Sequence, residues 1–103
     1  MTPEETKSLL NRAVYTYGCS AQQDVAIEEM SELTKALMKL RRTGTLADVD
    51  TETIRKLISD VAEEVADVLI TIEQLKIMFY IEDDVEEWKE KKLNRLKERL
   101  SSE

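Results

Sequence analysis

Apolar residues recur every three to four positions along nearly the whole chain, and only two Gly and one Pro interrupt 103 residues. That interval is the repeat of one helix face, whereas a half-buried strand needs strict alternation. Gly and Pro are the strongest punctuators between elements. A chain with three of them is confined to a few long helices.

The signals that do occur divide the chain into four. Thr2-Pro3-Glu4-Glu5 reads as a helix start, with Thr2 at the N-cap, Pro3 at N1 and Glu5 closing a capping box. Leu9, Leu10, Ala13, Val14 and Tyr17 carry this helix to a stop at Gly18. Ser20 is the expected cap of a second helix with the stripe Ala26, Met30, Leu33, Leu37 and Leu40, ending in Lys39-Leu40-Arg41-Arg42 before Gly44. Residues 43–50 form the one clear loop. Asp50 or Thr51 caps a third helix, striped by Ile54, Leu57, Ile58, Val61, Val65, Val68, Leu69, Ile72 and Leu75, which runs to about Tyr80. Asp83 with Glu86 predicts a second capping box, opening a fourth helix through Val85, Trp88, Leu93, Leu96 and Leu100. The expected fold is all-α: one domain over residues 1–103, four-helix bundle-like, oligomerising through apolar helix faces too broad for one small chain to cover.

Composition narrows the chemistry. A net charge of −7 argues against a nucleic-acid polymer as partner, since that needs a basic footprint. The absence of His removes the commonest general base and transition-metal ligand, and the single Cys excludes a Cys-rich zinc site. No apolar run is long enough for a membrane span, and the acidic N-terminus lacks a secretory pattern, so a cytoplasmic location is expected. What remains for chemistry is mostly carboxylate.

Two stretches carry those carboxylates in the same pattern. Residues 26–33 read Ala-Ile-Glu-Glu-Met-Ser-Glu-Leu and residues 61–68 read Val-Ala-Glu-Glu-Val-Ala-Asp-Val. Each holds an acidic pair at i and i+3, Glu29 with Glu32 and Glu64 with Asp67, and each acid directly precedes a stripe residue. One residue is about 100° of rotation, so both pairs are expected beside the apolar seam, converging if the two helices pack through it. A charged helix face is commonly just solvated. Such a face usually alternates sign, yet here the i,i+4 neighbours Glu28/Glu32, Asp60/Glu64 and Glu63/Asp67 repel. A divalent cation would turn that repulsion into coordination, and an all-carboxylate set suits Mg²⁺, Mn²⁺ or Ca²⁺.

Ala21-Gln22, then Ala26-Ile27-Glu28-Glu29-Met30-Ser31-Glu32-Leu33, then Glu64-Val65-Ala66-Asp67-Val68-Leu69 resembles the EExxE…ExxD signature of MazG-like all-α nucleoside triphosphate pyrophosphohydrolases. The resemblance runs from about Tyr17 to Leu100, with a spacer of 31 residues between Glu32 and Glu64 that is long for the pattern. It implies Mg²⁺, with Mn²⁺ as a substitute, held by Glu29, Glu32, Glu64 and Asp67. It further implies hydrolysis of (d)NTP to (d)NMP and pyrophosphate by a homodimer or homotetramer. Under it, Glu28 or Glu63 orients or deprotonates the attacking water. Gln22, which matches a Gln in relatives, and Lys92 and Arg95 of the basic last helix are the expected substrate contacts. Tyr15, Tyr17 and Trp88 read as core or interface, and Cys19 as structural. The alternatives are a helical homo-oligomeric protein-binding module, whose acids merely solvate it, and a non-catalytic nucleotide-binding relative.

Overall fold

The computed structural model describes residues 1–103. It is all-helical, with α1 at Pro3–Tyr17, α2 at Cys19–Gly44, α3 at Thr51–Phe79 and α4 at Glu82–Ser101, and no strand. No helix is long and apolar enough to cross a membrane.

The first helix starts as its sequence dictates. Thr2 Oγ1 accepts from the Glu5 amide at 3.1 Å while the Glu5 carboxylate accepts from the Thr2 amide at 3.3 Å. The α1–α2 junction is a single residue. Gly18 adopts φ 90°, open to glycine and strained for other residues, donates its amide to the Val14 carbonyl and accepts from Gln22. Because one residue makes the turn, α2 begins at Cys19. Ser20 then lies inside the helix and caps nothing, contrary to expectation. Gly44 is the last residue of α2, so the loop is shorter than the sequence suggests, and Thr45 closes it by donating its hydroxyl to the Arg42 carbonyl at 2.7 Å. Asp50 caps α3, accepting from the Thr53 amide at 2.8 Å.

The turn into α4 is built differently from its sequence signal. Tyr80 takes the left-handed conformation (φ 54°, ψ 44°), and the Tyr80 and Ile81 amides both donate to the Lys76 carbonyl. Ile81 then stands at the N-cap without a side-chain bond, and α4 starts at Glu82. Asp83 is therefore a first-turn residue, not a cap. With Glu82 and Asp84 it places three acids at the positive end of the helix dipole.

Packing centres on α2 and α3, an antiparallel hairpin against which α1 lies, while α4 meets α3 and touches α1 through its first residue, Glu82, 3.9 Å from Lys7 Nζ. No residue of α4 is buried, and Trp88, expected within a buried stripe, is 53 % exposed with Lys91 Nζ 5.0 Å from its ring centroid. One chain thus makes a three-helix core with an arm, not a closed bundle. The radius of gyration is 17.6 Å, against about 13 Å for a compact domain of this length.

The buried face of the hairpin is narrow. On α2 it follows Gln22, Ala26, Glu29, Leu33 and Ala36; on α3 it follows Leu57, Val61, Glu64, Val68, Thr71, Leu75 and Met78. Both rows alternate steps of four and three, the spacing of a left-handed helix pair. Ala26, 2 % exposed, is the most deeply buried residue of the row. Much of the expected stripe points elsewhere. Met30, Leu37, Ile58, Val65 and Leu69 are 39–56 % exposed. At 100° per residue they fall on one side of the hairpin, and Glu32, Lys39, Asp60 and Asp67 on the other.

Candidate metal centre

The row just traced carries two carboxylates within it. Glu29 and Glu64 occupy seam positions themselves, one step further in than the edge position expected from sequence. The antiparallel pairing sets Glu29 against Glu64 and Asp67. Oxygens from these three side chains all lie within 4.8 Å of one another, and each side chain is partly buried. Ligand oxygens on one octahedral Mg²⁺ stand roughly 3–4 Å apart. Small rotations of three partly exposed side chains close the remaining distance.

No cation of the chain neutralises these three. Lys35, the nearest base in sequence, is spent on Glu32 at 3.3 Å. The acidities record the strain. The Glu29 carboxyl is raised above the usual glutamate range, first by desolvation on the seam, then by the charge of Asp67 and contact with it, and by Glu64 and Glu28. The Glu64 carboxyl is raised for the same first reason, then by Asp67, Glu32, Glu63 and Asp60. A hard divalent cation is the counter-charge that this oxygen-only set fits.

The remaining expected residues divide into near and far. Glu32 is one turn beyond Glu29, outside the group of three. It faces Glu64 across a groove of about 240 Å³ that opens from the acids toward the α2–α3 loop. Glu63 lines the same groove, while Glu28 is exposed beside Glu29. Gln22 lies on the seam row two turns before Glu29 and is 7 % exposed. Lys92 and Arg95 sit on the α4 arm, fully on the surface, and neither lines the groove. Within one chain they are not brought to the acids.

Sequence reasoning passed over other groups. Lys35 and Lys39 line the groove on the α2 side. Their phase relative to Glu32 (i, i+3, i+7) was the available signal. Thr71 and Gln74 are buried polar residues of α3, the former donating to the Val68 carbonyl at 2.8 Å. The five-acid, base-free run of 57–75 drew attention away from them. No family model, curated protein or solved structure matches the chain.

Proposed function

We propose that the protein is a Mg²⁺-dependent nucleotide pyrophosphohydrolase that converts (d)NTP to (d)NMP and pyrophosphate. One observation carries the reading: the two copies of the acidic pattern contribute to a single cluster, Glu29 from the first and Glu64 with Asp67 from the second, with no internal counter-charge. A solvated face gives no reason for acids of separate helices to share a desolvated seam.

Bound there, Mg²⁺ or Mn²⁺ supplies neutralisation of phosphate oxygens and a more acidic water. Glu29, Glu64 and Asp67 hold the cation, with Glu32 one turn away completing the set. The water oxygen bonds to the α-phosphorus as the bond from that phosphorus to the bridging oxygen of the β-phosphate breaks. Pyrophosphate departs with the bonding electron pair. The proton of the water passes to a free carboxylate, for which Glu28 and Glu63 are placed beside the ligands.

The reading includes a homo-oligomer, dimer or tetramer, acting in the cytoplasm. The outward apolar side of the hairpin and the detached α4 support self-association. In the assembly a neighbour's α4 supplies Lys92 and Arg95 to the phosphates. The same exposed faces favour the alternative of a protein-binding module, which predicts neither turnover nor a metal effect.

A panel of NTPs and dNTPs with Mg²⁺, followed by pyrophosphate release, tests the function. Turnover is expected in the wild type and lost in Glu32→Gln and Asp67→Asn. Undiminished turnover in both variants overturns the assignment.

A further inference from the structure

The seam around the acid cluster is closed at one end and open at the other. Toward the α1 side, Ala26, Val68, Thr71 and Gln74 are all buried. Toward the loop, the seam widens into the groove of about 240 Å³ bounded by Glu32, Lys35, Lys39, Leu57, Asp60 and Glu64. Glu64 belongs both to the three converging carboxylates and to this groove. Whatever extends from the metal along the seam has only that direction to take.

The groove holds two ammonium groups one helical turn apart. Lys39 has no ion pair within the chain, and Lys35 is held only by Glu32, with its side chain 74 % exposed and free to swing. Like charges at i,i+4 disfavour a helix, as the acids do, so the groove repeats on a smaller scale the problem of unmatched charge. Its chemistry differs: two flexible cationic donors, next to a metal site, suit a multivalent oxyanion.

The geometry points to Lys35 and Lys39 as the receptors of the leaving diphosphate, that is, of the β- and γ-phosphates of the substrate and then of pyrophosphate. This inference rests on the pyrophosphohydrolase reading for the identity of the anion. It fixes the direction in which the polyphosphate lies, along the groove toward the α2–α3 loop. It also fixes the order of binding. Four carboxylates line the groove (Glu32, Asp60, Glu63, Glu64) against two lysines, so the empty groove repels an anion. Asp60 is paired with Lys56 at 3.6 Å, so once divalent cations have neutralised Glu32 and Glu64, Glu63 alone stands against the two lysines. Diphosphate binding is therefore strictly dependent on the metal.

The test is calorimetric titration of pyrophosphate and of a nucleoside monophosphate, each with and without Mg²⁺, into wild type, Lys35→Gln, Lys39→Gln and the double variant. Mg²⁺ is also titrated alone, and circular dichroism establishes that the surface variants remain folded. Wild type is expected to bind pyrophosphate only with Mg²⁺. Each single variant weakens that binding on the order of tenfold, the loss of one charge-assisted contact. Affinity for the monophosphate stays unchanged, and Mg²⁺ alone binds no more weakly, because Lys35 no longer competes for Glu32. The inference is overturned if wild type does not bind Mg²⁺-pyrophosphate, or if the double variant binds it as wild type does. It is equally overturned by binding without metal, or if the lysines matter for the monophosphate and not for pyrophosphate. If wild type binds Mg²⁺-pyrophosphate through the lysines yet hydrolyses no nucleotide, the diphosphate site stands and the hydrolase reading falls.

Discussion

Replacing Ile58 and Leu69 together by alanine removes two side chains from the apolar side of the α2–α3 hairpin without touching the acids. Alanine favours helix, so α3 itself loses nothing. The accessible surface of the chain is 8386 Å². A compact monomer of 11.9 kDa exposes about 5,900 Å² by the scaling of surface with mass. The excess, roughly 2,400 Å², is of the size that stable interfaces remove. Ile58 and Leu69 are each about half exposed, and burying that half yields about 1 kcal/mol per side chain. In a twofold dimer each contributes twice, so the double variant loses about 4 kcal/mol and its dissociation constant rises about a thousandfold. Sedimentation equilibrium over a dilution series measures both proteins. Wild type is expected as a dimer or tetramer, and the variant as a monomer at concentrations where wild type is assembled. A wild type that sediments at 11.9 kDa and still unfolds cooperatively refutes the reasoning, as does a variant that assembles like wild type.

Three further outcomes follow from the site and the caps. In metal-free protein, the raised pKa values of Glu29 and Glu64 mean that the folded state holds protons more tightly than the unfolded chain. Their contribution to stability is present below the ordinary pH 4.5 of a glutamate and lost as pH rises through the raised values. Millimolar Mg²⁺ therefore raises the melting temperature little near that pH and increasingly toward neutrality, and a shift independent of pH counts against a shared cation site. Asp50→Ala removes the bond to the Thr53 amide and lowers stability by about 1 kcal/mol, read by urea denaturation. Because the Asp50 carboxyl is held below its usual range by the Thr53 side chain and then by the Thr53 amide, this loss disappears as pH falls through the lowered value. Tyr80→Gly relieves a left-handed backbone at a residue whose side chain is 93 % exposed. The relief, about 1 kcal/mol, is partly offset by the extra freedom of glycine in the unfolded chain. A net gain in melting temperature is expected, and a clear loss contradicts the account of that turn.

The helices and the pairing of the acids were legible because both are local. Period and capping chemistry act within one turn, and the Thr2–Glu5 box and the Asp50 cap form as their residues dictate. What the sequence does not fix by itself is rotation. Ile58, Val65 and Leu69 carry the same periodic signal as Leu57 and Val68, yet they face outward. A stripe reports that a face is to be covered, and says nothing of which chain covers it. The seam runs through Glu29 and Glu64, on the row of the deeply buried Ala26, a tertiary preference with no signal in period or charge. The misplaced caps at Ser20 and Asp83 share one cause. The turns before them are made by the backbones of Gly18 and Tyr80, which leave those side chains one or two residues inside the next helix.

The long spacer between the two acidic motifs looks different once the hairpin is known. Twelve residues lead from Glu32 to the end of α2 at Gly44, and thirteen from the start of α3 at Thr51 to Glu64. The arms are matched, like the two sides of a ladder above a fixed rung. Residues can be added to both sides together, by whole turns, and the rung stays level, and the loop at the top can grow at little entropic cost. A change to one arm alone shifts Glu29 along α3 and breaks the cluster. On this plan, motif spacing is free to vary in paired steps while the three carboxylates stay together.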